Sequence, residues 1–399
     1  MFKRKVAAQL VNRMNEKRRF IQVIMGPRQT GKTTAVLQAL KSLSFPHHYI
    51  SADDPVLVSP QWLHNEWDKA RVLQKQKNRE IILAIDEVQN VPNWPSVVKL
   101  LWDEDTRRKN PVKVILSGSS SLLIQKGLNE SMAGRFEILY CPHWDYLECK
   151  TAFKYKLDDF LFFGGYPGAA ALKDDTERWA RYIGSSIVEP VISKDILQME
   201  EVRKPALLRS LFTLGASYST QELSYTKILE LLHDAGNTVT LAHYLELLNN
   251  ANILCGLSKY SVNKIRVKQS SPRFLVYDTS LFIWTSGSVR KKFLEMPDYR
   301  GRLTETAIGA YLLARGREEG FSVYWWRERD KEVDFVIEKG VSGGESSLTA
   351  IEVKSGIVKN TGGSMEFKKL YPHALCLTAG SQDCSIEDFL LGKTPLFKE

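Results

Sequence analysis

Residues 26–34 read GPRQTGKTT, two glycines separated by four residues and followed at once by a lysine and two threonines. The apolar run FIQVIM precedes this stretch, and TAVLQALKSL follows it with apolar residues at helical spacing. A strand, a glycine loop and a helix start in that order make a phosphate cradle. Glycines let backbone N–H groups turn inward, and the helix N-terminus adds a positive dipole end. Lys32 would neutralise the β- and γ-phosphates of a nucleoside triphosphate, and the Thr33 hydroxyl would hold Mg²⁺. The spacing therefore assigns Gly26, Pro27, Arg28, Gln29, Thr30, Gly31, Lys32, Thr33 and Thr34 to ATP. The plainer alternative is a glycine-rich turn with no ligand.

A second apolar run, IILAIDEVQN, ends in adjacent acids. Asp86, closing a buried strand, would orient the Mg²⁺ shell, and Glu87 would polarise the attacking water as catalytic base. The alternative is an acid pair that opens the next helix. A third run, VKVILSGSSS, ends in hydroxyls that include Ser117 and Ser119, and a serine-rich turn before LLIQKGL reads nearly as well. Arg135, in SMAGRFEILYCPHW, could reach a nucleotide in its own or a neighbouring subunit, or lie on the surface.

Together, GPRQTGKTT, IDEVQNVPNW, LSGSSSLL and AGRFEILYCPHWDYLE resemble the AAA-type ATPase domain of a large prokaryotic family of uncharacterised ATPases. In that family a region of unassigned function follows, and FLFFGGYPGA, WRERDKEVDFVIE and IEVKSG resemble its landmarks. The resemblance covers nearly the whole chain. It implies hydrolysis of ATP, and Ser117 and Ser119 resemble the polar sensor residue that hydrogen-bonds the attacking water or the γ-phosphate.

Near the other end, residues 350–356 read AIEVKSG. Strand side chains alternate, so Glu352 and Lys354 share a face. Asp334 lies inside EVDFVIE, and a loop with Gly340, Gly343 and Gly344 returns the chain antiparallel, which can bring Asp334 beside Glu352. Glu305, in GRLTETAIGAYLLARG, adds a third carboxylate. A helix Glu, then a strand Asp, then Glu-x-Lys is the order found in PD-(D/E)xK nucleases, and this region resembles that fold. The resemblance implies that Asp334, Glu352 and Glu305 hold a hard Mg²⁺ ion and that Lys354 is catalytic at the scissile phosphate. The alternative is a solvated Glu352–Lys354 ion pair, worth under about 1 kcal/mol.

Positioning these residues takes several elements. From 20 to 140 apolar runs alternate with helical stretches, the pattern of a parallel sheet with crossover helices. Residues 205–277 read as three helices and a hairpin, an order resembling a winged helix. Leu241, Leu245 and Leu248 give the third helix a core face, and Thr238 or Thr240 can cap it. Lys264, Arg266 and Lys268 alternate along the wing, where they could meet DNA phosphates. The third helix has no Lys or Arg and carries Glu246, which argues against base-specific reading and leaves a protein-docking module as the alternative. The expected fold is α/β: an AAA-type P-loop domain at 1–150, a helical and winged-helix-like region at 151–290, and an α+β PD-(D/E)xK-like domain at 291–399. The pair His47-His48 reads as loop and Trp325-Trp326 as core.

The chain has 399 residues, 43% hydrophobic and 25% charged, which places it among globular proteins of more than one domain. The N-terminal residues lack the apolar core of a secretory signal, and FLFFGGYPGAAAL is broken by Gly164, Gly165 and Pro167, so no membrane span is expected. Five cysteines without a CxxC pair argue against a disulfide framework or a zinc site and favour the cytoplasm. A net charge of +9 favours an anionic partner such as DNA, although a lysine-rich surface gives the same total. A homo-oligomer and a protein partner both remain compatible with this reading.

Overall fold

The computed structural model describes residues 2–53, 58–118, 124–125, 127–128, 132–197, 202–232, 237–261, 271–287, 295–340, 346–354 and 362–398. The chain divides into two compact units, residues 1–142 and 143–399.

In the first unit the order is α1 (Lys5–Asn15), β1 (Ile21–Met25), α2 (Lys32–Ser42), β2 (His47–Ser51), α3 (Pro60–Lys77), β3 (Ile81–Asp86), α4 (Trp94–Arg108), β4 (Val112–Ser117) and β5 (Phe136–Tyr140). Five parallel strands pair in the order β2-β3-β4-β1-β5. Helices on both faces bury the central strands completely, which is why β1, β3 and β4 are near-continuous apolar runs. One core layer packs Trp67, Val98 and Trp102 against Leu83 and Leu116, and the opposite layer packs Val36, Ala39 and Leu40 against Ile82 and Ile115. The pair His47-His48, expected in a loop, lies in β2. An edge strand has one paired side and needs no apolar run, and the His48 ring meets Glu66 at 2.7 Å.

The second unit holds both the expected middle and C-terminal regions. It contains α5 (Tyr146–Phe153), α6 (Leu157–Phe163), α7 (Pro205–Ser217), α8 (Tyr225–Leu232), α9 (Thr238–Asn250) and the antiparallel pair β6 (Leu254–Leu257) and β7 (Arg273–Val276). Leu241, Leu245 and Leu248 are buried as expected, but the cap of α9 is Asn237, whose Oδ1 accepts the Thr240 N–H at 2.7 Å. Asn precedes the helix with extended backbone, the geometry a cap requires; Thr238 and Thr240 are already inside it. Lys264, Arg266 and Lys268 lie outside the described residues.

After α10 (Thr279–Ser286) come α11 (Pro297–Glu319), β8 (Phe321–Glu328), β9 (Lys331–Gly340), β10 (Ser346–Val353), α12 (Gly362–Leu370) and β11 (Leu375–Ala379). The sheet order is β11-β10-β9-β8, antiparallel except for β11, which runs parallel to β10. Trp325 and Trp326 are buried. The landmark Gly164-Gly165 exists because the Asp278 carboxylate lies against it: Asp278 Oδ2 accepts the Gly165 N–H at 2.7 Å, and a Cβ on Gly164 would sit 1.9 Å from Oδ1. No helix among the described residues is long and apolar enough to cross a membrane.

Candidate nucleotide site and acidic cluster

In a parallel sheet the carboxyl ends of the strands lie along one edge, and there β1, β3 and β4 deliver the loop before α2, Asp86 and Ser117. The loop is shaped by its glycines. A Cβ on Gly26 would lie 2.0 Å from the Cys141 carbonyl oxygen, so only glycine lets the loop pass the end of β5. Gly31 takes a left-handed φ of 90° where the chain enters α2. The Thr30 hydroxyl donates to the Pro27 carbonyl at 3.0 Å. Arg4, buried, donates to the carbonyls of Thr30 at 2.9 Å and Pro142 at 3.0 Å, tying the loop to the residues after β5. Pro27 is buried, Arg28 half-buried, and Gln29, Thr33 and Thr34 are on the exposed side of the loop and helix start.

The Lys32 ammonium, also buried, donates to the carbonyls of Gly26 at 2.9 Å and Pro27 at 2.5 Å. Asp86, buried, gathers hydroxyls: its Oδ2 accepts from Thr33 at 2.6 Å and Tyr49 at 3.2 Å, and its Oδ1 from Ser117 at 2.6 Å. Burial and the Asp86 carboxylate together raise the Tyr49 hydroxyl's pKa. A hydroxyl and a carboxylate oxygen in contact are hard donors of the kind Mg²⁺ takes, so Thr33 and Asp86 suit that ion. Glu87 has a left-handed φ of 52°, and its Oε2 accepts from the Gln89 amide at 2.5 Å. Sequence reasoning missed Arg4, Tyr49 and Gln89. The run IDEVQN carried a signal for Gln89, a polar residue two positions beyond the acid pair, whereas Tyr49 in an edge strand carried none.

Arg135 is engaged elsewhere. Its Nε and Nη2 meet the two oxygens of Asp103 at 2.8 and 2.9 Å, a bidentate pair that holds the Asp103 carboxyl below its usual range. Ser119 lies outside the described residues.

In the second unit, β9 and β10 pair up to Phe335 and Ile351, and one further step of that register sets Asp334 opposite Glu352. The carboxylates nevertheless turn to different partners. Asp334 Oδ2 accepts the Val353 N–H at 2.7 Å, while Glu352, buried, accepts the Ser364 N–H at 2.7 Å and pairs with Lys354 Nζ at 3.1 Å. Glu305, on α11, meets Arg273 of β7. Burial pushes the Glu305 carboxyl up to about 8 despite Arg273, with Asp334 and Glu332 adding to the rise. Burial also raises the Asp334 carboxyl against the pull of Arg273, the Val353 N–H and Lys354. Among the described residues, no three His, Cys, Asp or Glu side chains are gathered so as to hold a metal ion, so Glu305, Asp334 and Glu352 are neighbours of one region without forming a common ligand set.

Residues 18–149 match the model of an AAA domain family, and residues 154–291 and 300–396 match two families described only as domains of unknown function, DUF8612 and DUF4143. An uncharacterized protein of Methanocaldococcus jannaschii, MJ1544, is 25% identical over 340 residues, covering 79% of this chain and 72% of its own. An uncharacterized protein of Haemophilus influenzae is 24% identical over 362 residues, covering 86% and 84%. Among solved structures, the ORC2 protein of Aeropyrum pernix, in ADPNP-ADP complexes, superposes with a TM-score of 0.42 at 13% identity over 73% of this chain and 93% of its own. Residues 18–149 are thus an AAA-type P-loop ATPase domain, an α/β fold on a five-strand parallel sheet, and this fold implies nucleotide binding.

Proposed function

We propose that the chain is a Mg²⁺-dependent ATPase whose nucleotide state governs a DNA-associated, nuclease-like region in the second unit. The observation that carries the nucleotide half is the contact between Thr33 and Asp86 at the mouth of the glycine loop. In this reading the Lys32 ammonium exchanges the Gly26 and Pro27 carbonyls for phosphate oxygens, and Thr33 and Asp86 hold the cation. Mg²⁺, when bound, neutralises charge on the transferred phosphoryl group. Glu87 takes the proton of the attacking water, with Gln89 fixing its carboxylate, and Ser117 keeps Asp86 oriented. Ser119 keeps its sequence-based role as sensor. Arg135 can act as a finger toward a neighbouring copy only after leaving Asp103, which makes a homo-oligomer part of that role.

The DNA half rests on the +9 net charge and on Lys264, Arg266 and Lys268 falling in sequence between the two strands of a three-helix, antiparallel-strand order like that of a winged helix. The nuclease-like assignment rests on the helix-Glu, strand-Asp, Glu-x-Lys order carried by α11, β9 and β10. Five free thiols suit a reducing compartment, the cytoplasm. The second reading is a non-nucleolytic, ATP-driven switch that docks a protein partner, and it is favoured by the cations already paired with Glu305 and Glu352. Incubating the purified chain with plasmid, linear duplex and single-stranded DNA, with and without ATP and Mg²⁺, separates the two. Metal-dependent cleavage lost in Asp334→Ala supports the first, and intact DNA under every condition supports the second.

A further inference from the structure

Arg273 opens β7, and its guanidinium is buried where three carboxylates converge. Its Nε donates to the Thr220 carbonyl at 2.8 Å and its Nη1 to Glu332 Oε1 at 2.7 Å. Its Nη2 donates to Glu305 and lies 3.7 Å from Asp334 Oδ1. The backbone that carries it is fixed, because Phe274, Leu275 and Val276 are fully buried and Arg273 pairs with Leu257 across the β6–β7 ladder. The other Glu332 oxygen meets Arg327, which also holds Glu222. Four carboxyl groups, those of Glu222, Glu305, Glu332 and Asp334, therefore share two arginines, Arg273 and Arg327, while Lys354 pairs with Glu352. Partly buried carboxyl groups that converge on one point demand a cation, and the chain supplies it from a strand outside the helix-strand set that carries Glu305, Asp334 and Glu352.

We propose that Arg273 is the resident cation of this acid cluster: its guanidinium fills the space in which Glu305 and Asp334 would share a divalent ion, and it excludes Mg²⁺ and Mn²⁺ while it stays there. The inference rests on the nuclease-like reading of those two carboxylates. A planar guanidinium satisfies carboxylates through a fork of N–H donors, whereas a hard divalent ion needs their oxygens in its own shell, so the two occupants compete. Arg273 thereby holds the acidic site closed in this conformation.

The test is Mn²⁺ binding by the full chain without nucleotide, followed by electron paramagnetic resonance, in wild type, Arg273→Gln, Arg273→Lys, and Arg273→Gln combined with Asp334→Asn. Wild type should show no Mn²⁺ binding that depends on Asp334. Arg273→Gln should gain a site at least about tenfold tighter, because a repelling charge is gone, and the added Asp334→Asn should remove it. Arg273→Lys keeps the charge and protects against misfolding but loses the fork, so it should gain a weaker site. Wild-type Mn²⁺ binding that Asp334→Asn abolishes overturns the proposal, as does a folded Arg273→Lys or Arg273→Gln that gains nothing. If Arg273→Gln binds Mn²⁺ yet cuts no plasmid, Arg273 remains the resident cation and the nuclease-like reading fails instead.

Discussion

The Thr33 hydroxyl donates to Asp86 Oδ2 across 2.6 Å, although the two residues are 53 positions apart. The contact joins the first turn of α2 to the carboxyl end of β3, and it exists because parallel strands end along one edge. Asp86 accepts three hydroxyls at once, and removing its charge should loosen all of them. Asp86→Asn should raise the Mg²⁺ concentration for half-maximal ATP hydrolysis and lower turnover on the order of a hundredfold, the scale of losing a charged group at a phosphoryl-transfer site. Tyr49→Phe, which removes one hydroxyl, should show the same Mg²⁺ shift in weaker form. A Mg²⁺ titration of the ATPase rate checks both.

The two glycines of the loop should respond unequally to alanine. Gly26→Ala places a Cβ 2.0 Å from the Cys141 carbonyl and forces β1 and β5 apart, which should cost about 2–3 kcal/mol of stability. Gly31→Ala meets no atom within 4 Å, and its left-handed φ should cost about 1–2 kcal/mol. Chemical unfolding of the two variants measures the difference, and an equal or reversed order would contradict the close approach at Gly26.

Stability should fall with rising pH through Asp278. Burial outweighs the hydrogen bonds from Ser280 and the Gly165 N–H and pushes its carboxyl up to about 6. A raised folded-state pKa means the folded chain holds the proton more tightly than the unfolded one. The contribution is therefore complete below about pH 4, the unfolded value, and is lost as pH rises through about 6. The change amounts to about 3 kcal/mol at most. Urea midpoints between pH 4.5 and 7.5 should fall more steeply in wild type than in Asp278→Asn; identical slopes would remove Asp278 from the pH response.

The AAA-type domain was legible because its signals are local in sequence: a glycine loop, an acid pair and a strand ending in hydroxyls each lie within about ten residues. The strands β1, β3 and β4 were legible because burial on both faces leaves apolar runs. Strands β2 and β11 were not, since HHYIS and LCLTA sit at sheet edges and are half-exposed. Arg273 could not be found that way. It opens the short strand RFLV, and its partners Glu305 and Glu332 lie 32 and 59 residues away, beyond any local pattern. The order Glu305, Asp334, Glu352 was readable, while the direction each carboxylate takes depended on N–H groups and cations that only the fold brings near.

Replacing Lys264, Arg266 and Lys268 together by Ala should weaken DNA binding for all sequences alike and flatten its dependence on log salt by about three units at most. Binding titrations from low to high salt on two unrelated duplexes test this. An unchanged slope would move the middle region to the protein-docking reading.

The central claim is ATP hydrolysis at the loop of Gly26 to Thr34 with Glu87 as base, and the most direct measurement compares ATP binding and steady-state turnover in Lys32→Ala and Glu87→Gln. Lys32→Ala should lose binding and turnover together, because it removes the charge that meets the phosphates. Glu87→Gln should bind ATP like wild type and fall by a factor of about a hundred or more in turnover, because it removes only the proton acceptor. Wild-type hydrolysis by both variants would contradict the account.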